Sequence, residues 1–303
     1  MSLVLNSKSK QGRGKKKGET TMLSIEKLLQ ESERIEPVPQ VVHQLMELAE
    51  DPEVPISEIT DLITYEPVVT ANLLKLANSA AFGLKRKVDS VHDAVMMLGM
   101  KQVVKVVLLG STTKPMKAAQ QGYDLEEGRL WKQSVSCALI ASAIAEELES
   151  ADKNIIFTAA LLKDIGVIVL DRYMGPAVTQ IRTLMTDNGF PLIEAERKVL
   201  GIDHAHLGGR IAGKWNFSDT LIGIIRDHHL NGGVADISAA TAIVYLADCL
   251  CSISGINGEL FCGPYTHYDR ICKQIGLSEA DLNRIMSDFY SRKDDIYGLL
   301  AIL

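Results

Sequence analysis

Four of the seven histidines in this chain, His204, His206, His228 and His229, fall between positions 204 and 229. Asp164 precedes them in Leu161-Leu162-Lys163-Asp164-Ile165-Gly166, and Asp248 follows in Leu246-Ala247-Asp248. Neutral imidazoles and carboxylates are the usual ligands of Zn, Mn or Fe, and a bundle core can gather them from neighbouring helices. The chemistry on offer is metal coordination within a helical core. His43, His92 and His267 stand alone on helix faces or loops and read as surface or capping residues. Cys249-x-Cys251 on a helix would send its sulfurs to nearly opposite sides, which argues against a metal clip. Gly208-Gly209 with Gly213 follows no strand, so close helix packing explains it better than a phosphate loop. No serine sits in a nucleophile elbow, and no cysteine pairs convincingly with a histidine.

Helical periodicity dominates from Ser24 onward, which predicts an all-α protein. Val41, Val42, Leu45, Met46, Leu48 and Ala49 recur at three and four and form one apolar stripe, entered through Pro37 and Pro39. Val68, Val69, Leu73, Leu74, Leu76 and Ala77 form a second, opened by Pro67. Ser90 with Asp93 makes a capping-box variant, and Gly99 stops that helix before a longer apolar one from 102 to about 113. The turn from Asn78 to Gly83 reads as a cap that staples its lobe. The polar break from Ala118 to Glu126 marks a seam between two helical lobes. Beyond it helices are expected near 127–149, 153–173, 175–188, 191–200, 203–215, 218–229 and 236–254. Ser278 with Asp281 caps a last one. This divides the chain into a basic tail over 1–21, an N-terminal lobe over 22–120 and a second lobe with a C-terminal extension over 121–303.

Composition narrows the function classes. A hydrophobic content of 47% suffices for a substantial core, and charges interrupt every apolar run before bilayer-spanning length. The first 18 residues carry +6 of a total of −6, which leaves −12 for the body. An acidic body is a poor electrostatic partner for nucleic acid, so only the tail could bind it. The tail reads as a solvated arm, in part added ahead of a native start at Met22. Five cysteines (Cys137, Cys249, Cys251, Cys262 and Cys272) without paired CxxC spacing read as reduced thiols in a cytoplasmic protein. The apolar C-terminal run from Tyr297 to Leu303 either docks on the bundle or forms a homo-oligomer contact.

Eight short blocks together resemble a known family. Pro37-Val38-Pro39-Gln40-Val41-Val42, Tyr65-Glu66-Pro67-Val68-Val69-Thr70, Leu76-Ala77-Asn78-Ser79-Ala80 and Ala94-Val95-Met96-Met97-Leu98-Gly99 are similar to the N-terminal lobe of HDOD domains. Leu130-Trp131 with Ser134, the stretch from Leu162 to Gly166, His204-Ala205-His206-Leu207-Gly208 with Trp215-Asn216, and His228-His229 follow in the same order. HDOD domains are a regulatory branch of the HD phosphohydrolase superfamily, and the resemblance covers about residues 23 to 250.

In catalytic HD enzymes the resemblance implies a metal held by a first histidine, an adjacent His-Asp pair and a distant aspartate. Here those positions fall on Gln133, Lys163, Asp164 and Asp248. Glutamine is a poor ligand and a protonated lysine is none, so the pocket is expected to be degenerate. The Lys163 ammonium either takes the place of the metal and neutralises Asp164, Asp248 and Asp227, or snorkels to solvent. The related HD-GYP phosphodiesterases add ligands at positions matching His204, His228 and His229. A displaced metal site from Asp164, His204, His228 or His229, and Asp248 is thus the alternative.

The resemblance implies a non-catalytic bacterial signal-transduction module acting on partner proteins or a small effector, with no cofactor expected. The alternative is a metal-dependent phosphohydrolase or cyclic-dinucleotide phosphodiesterase using Asp164, His204, His228, His229 and Asp248. A third reading is nucleic-acid binding by the basic tail.

Overall fold

The computed structural model describes residues 24–32, 40–49, 51, 54–64, 67–78, 87–150, 152–230, 232–263 and 265–302. The entrance at Pro37 and Pro39, the basic tail and most of the turn after Asn78 lie outside them. Among the described residues there are fifteen α-helices and no strand; one antiparallel bridge joins Gln120 to Leu125.

The first helices are short and amphipathic: α1 (Ile25–Ser32), α2 (Gln40–Leu48), α3 (Ile56–Thr64), α4 (Pro67–Ala77) and α5 (Val91–Leu98). In α2 the stripe buries Val41, Val42 and Leu45; in α4 it buries Val69, Leu73 and Ala77. Ser90 caps α5 by accepting a hydrogen bond from Asp93 N at 3.0 Å. The chain then reverses at Gly99, whose φ of 76° suits glycine, into α6 (Met100–Lys117), longer at both ends than its periodicity predicts. Asn78 is the staple expected of it. Its side chain donates to Val88 O and accepts from Val88 N, both at 2.7 Å, tying the end of α4 to the start of α5.

The remaining helices are α7 (Arg129–Glu147), α8 (Lys153–Leu162), α9 (Ile165–Asn188), α10 (Leu192–Leu200), α11 (His204–Lys214), α12 (Asp219–Asp227), α13 (Ala239–Ile253), α14 (Tyr268–Ile275) and α15 (Glu279–Ile302). Their packing centres on α7, which touches α8, α13, α15 and α6. α1 leans on α9 and α11, where Lys214 Nζ donates to Leu29 O at 3.0 Å. Tyr297 of α15 lies against α7, its hydroxyl 3.2 Å from Ser136 Oγ, so this part of the C-terminal run docks on the bundle.

Two helix boundaries differ from the sequence expectation. The helix expected over 153–173 is broken at Lys163-Asp164, and the one expected to restart at 175 is continuous through Gly175-Pro176. Proline removes one backbone donor, and a 24-residue helix tolerates that loss. The break at 163–164 comes from tertiary demands: Lys163 and Asp164 turn into the core, and Gly166 passes so close to α11 that a Cβ there would lie 2.1 Å from His204 O. Gly209 plays the same part between α11 and α12, with a Cβ meeting Arg226 Cβ at 2.9 Å, as the packing reading of these glycines requires.

No described helix is long and apolar enough to cross a membrane. All five cysteines are free thiols.

Candidate functional site

The α8–α9 break delivers two adjacent ionisable side chains to the middle of the bundle, and α7, α11, α12 and α13 supply the rest. Lys163, Asp164, Gln133 and His204 are fully buried, as is His228; Asp248 is 3% exposed, and His229 is partly open. The structure therefore gathers every residue picked out for the pocket into one region.

That region has two halves. In the first, Lys163 Nζ lies 2.5 Å from Asp164 Oδ2 and 2.7 Å from Asp248 Oδ1. Gln133 Nε2 donates to the same Asp164 oxygen at 3.1 Å, and Gln133 Oε1 accepts from Gly258 N at 3.4 Å. Asn257 Nδ2 donates to Asp248 Oδ1 at 3.2 Å. Burial opposes the charge on Lys163, but the two carboxylates outweigh it and hold the ammonium well above its usual range. Burial likewise opposes ionisation of Asp164, and Lys163 reverses that effect. Lys163 does not snorkel, and it does not reach Asp227, which is on the surface paired with Arg226.

In the second half, His204, His228 and His229 each present one ring nitrogen, all within 4.8 Å of one another. Asp164 Oδ1 lies 3.7 Å from both His204 Nε2 and His228 Nε2. His204 Nδ1 donates to Glu196 Oε2 at 2.8 Å, and His228 Nδ1 donates to Ile225 O at 2.7 Å. These bonds turn the Nε2 atoms inward, the arrangement outer-shell partners give to metal-ligating histidines. Asp164 Oδ1 and His228 Nε2 are buried without a hydrogen-bond partner. A three-imidazole, one-carboxylate set with two orphaned atoms fits a single divalent transition ion. Asp248 differs from these ligands in that Lys163 Nζ and Asn257 Nδ2 both contact its Oδ1.

Without an ion the histidines are also self-consistent. Burial disfavours the His204 imidazolium, but Glu196 raises it to about 9, so His204 Nε2 donates to His229 Nε2 at 3.0 Å. Burial and then the charge on His204 hold His229 down to about 4; burial, with His229 and Lys163, keeps His228 neutral. A cavity of about 260 Å³ lined by His229, Glu194, Phe261, Tyr265 and His267 opens beside the cluster.

Glu196, Tyr123 and Asn257 were not evident as site residues from the sequence. Glu196 accepts from Tyr123 OH at 2.7 Å through its other oxygen, and from His204 N at 2.9 Å. The signal for Glu196 was present: it shares the apolar face of α10 with Leu192, Ile193, Val199 and Leu200, where an unpartnered carboxylate would be costly.

An all-helical bundle with a buried lysine, carboxylate and histidine pocket defines the class, and comparison with known proteins gives the family. The HDOD domain family matches residues 35–231, and the chain belongs to that family. Similar solved structures include an HDOD domain protein of unknown function from Geobacter sulfurreducens, 25% identical, covering 92% of this chain and 97% of its own, with a TM-score of 0.69. A Marinobacter aquaeolei VT8 protein provisionally assigned to signal transduction is 21% identical, covering 89% of this chain and 60% of its own, with a TM-score of 0.72. A Shewanella amazonensis SB2B protein provisionally assigned as a phosphohydrolase is 20% identical, covering 91% and 97%, with a TM-score of 0.68. An uncharacterized protein of Treponema pallidum (strain Nichols) is 25% identical over 204 residues, which are 65% of this chain and 39% of that protein.

Proposed function

We propose that this HDOD protein is a non-catalytic signal-transduction module that works by binding partner proteins or a small effector. The observation that carries the reading is the position of Lys163 Nζ, within 2.7 Å of both Asp164 and Asp248. At the four positions that the HD resemblance assigns to a metal, an internal ammonium neutralises the two carboxylates and Gln133 closes the network. A buried cation that is a covalent part of the chain cannot be exchanged for an ion without leaving a second positive charge in the pocket.

A second reading rests on Asp164 Oδ1 and His228 Nε2, the unpartnered atoms facing His204 and His229. There the three histidines and Asp164 would hold a divalent ion, which when bound supplies a Lewis acid for phosphoester hydrolysis. The chain's own part would be to orient the imidazoles through Glu196 and Ile225 O, to exclude water and to admit substrate beside His229.

Elemental analysis of protein purified without chelator, with hydrolysis assays on a generic phosphodiester and a cyclic dinucleotide, separates the two. The regulatory reading expects substoichiometric metal and no turnover. Stoichiometric metal with turnover abolished by Asp164→Ala would establish the hydrolase.

A further inference from the structure

Away from the histidine pocket, α6, α7, α8 and α15 line a half-open cavity of about 480 Å³, within the range of small-molecule sites. Its apolar walls are Leu109 of α6, Leu139 and Ala143 of α7, Phe157 of α8, and Ile285 and Phe289 of α15. Lys105 stands against these apolar walls: its Nζ donates to Ser142 Oγ at 2.7 Å and lies 4.9 Å from the centroid of the Phe157 ring. Among the described residues Lys105 makes no ion pair, and an ammonium has three donors to place. Burial dominates its electrostatics and lowers its pKa, while Glu146 works in the opposite direction. At the rim Glu147 is taken by Arg284 at 2.8 Å, which also holds Asp281; Asp288 and Arg292 complete the charged lining.

We infer that this cavity binds a small amphiphile with a single negative charge, a medium-chain monocarboxylate, whose tail lies on the apolar walls and whose head takes the remaining donors of Lys105. A charge-assisted bond to a half-desolvated ammonium is stronger than the neutral one Ser142 supplies. A monoanion suits the site better than a dianion because Glu146 and Asp288 stand at its edge. The walls come from helices on both sides of the seam at 118–126, so an occupant touches both helical groups. The inference stands whether or not the HD pocket takes a metal.

The test is isothermal titration calorimetry of the full chain at neutral pH with octanoate, using 1-octanol and octylammonium as uncharged and cationic controls. One saturable octanoate site per chain is expected, with both controls weaker by about tenfold or more. Lys105→Met should weaken octanoate by a similar factor and Lys105→Arg should retain it. Ala143→Phe, which narrows the cavity from α7 and leaves the Lys105 side chain itself unchanged, should abolish binding. Octanoate that fails to saturate, that binds no better than octanol, or that binds Lys105→Met as tightly as wild type would overturn the inference. Thermal unfolding checks that each variant is folded, and the charge controls on wild type decide the matter if Lys105→Met is not.

Discussion

The Lys163 ammonium lies 2.7 Å from the Asp248 carboxylate and also bonds Asp164, its neighbour in sequence, so one buried cation serves two buried anions. Removing it leaves both carboxylates desolvated and uncompensated. Lys163→Met should therefore destabilise the fold by about 3–5 kcal/mol, the usual cost of breaking a buried pair from one side. Combining it with Asp248→Asn should recover part of that loss. A denaturant-unfolding double-mutant cycle measures the coupling, and additive effects would show that Lys163 and Asp248 do not act as a unit.

A second prediction concerns pH in protein stripped of divalent ions. Glu196 holds the folded pKa of His204 near 9, above its ordinary 6.5, against the effect of burial. A raised value means that the stabilisation is complete below about pH 6.5 and is lost as pH climbs through about 9. His229, lowered to about 4 by burial and then by His204, acts with the opposite sign: its contribution is present above 6.5 and fades as pH falls toward 4. Thermal stability should thus peak near neutrality. His204→Gln should flatten the alkaline limb, and an unchanged limb would mean that another group sets it.

Glu196 gives a third prediction, because it grips His204 at both Nδ1 and the backbone N–H. Glu196→Gln keeps the size but removes the charge that stabilises the imidazolium. By NMR the His204 pKa should move down, toward the value burial alone would set. If a divalent ion binds the histidine cluster, the same change should weaken it by about 10–100-fold, the usual effect of losing an outer-shell carboxylate. An unmoved His204 titration would remove Glu196 from this role.

Some of this architecture was legible before any coordinates. Helix existence followed from periodicity in α2 and α4, and the end of α5 from Gly99, because local geometry decides both. Asp164, His204, His228, His229 and Asp248 were also readable from residue type, since few residue types suit a buried polar centre, whereas Gln133 and Lys163 followed only from the family resemblance. What periodicity could not supply was the division of that pocket. Lys163-Asp164 looks like mid-helix sequence, and only packing against α11 forces the turn that sends both side chains inward. Tyr123 reaches Glu196 across a long sequence separation, and Asn257 reaches Asp248 from the loop after α13; neither carries a local signature.

The close approach at Gly166 gives the fourth prediction. A Cβ at this position would lie 2.1 Å from His204 O and 2.9 Å from Gly208 N, both backbone atoms that cannot rotate away. Gly166→Ala must therefore push the start of α9 from α11, with an overpacking cost of about 1–3 kcal/mol or more. The displacement falls between Asp164 and His204, so it should also disturb the His204 pKa more than a comparable change at Gly175, where a Cβ meets nothing within 4 Å. Gly175→Ala is thus the control: it should raise or leave unchanged the unfolding temperature while Gly166→Ala lowers it. Equal stability in the two variants would show that the α9–α11 contact yields without cost.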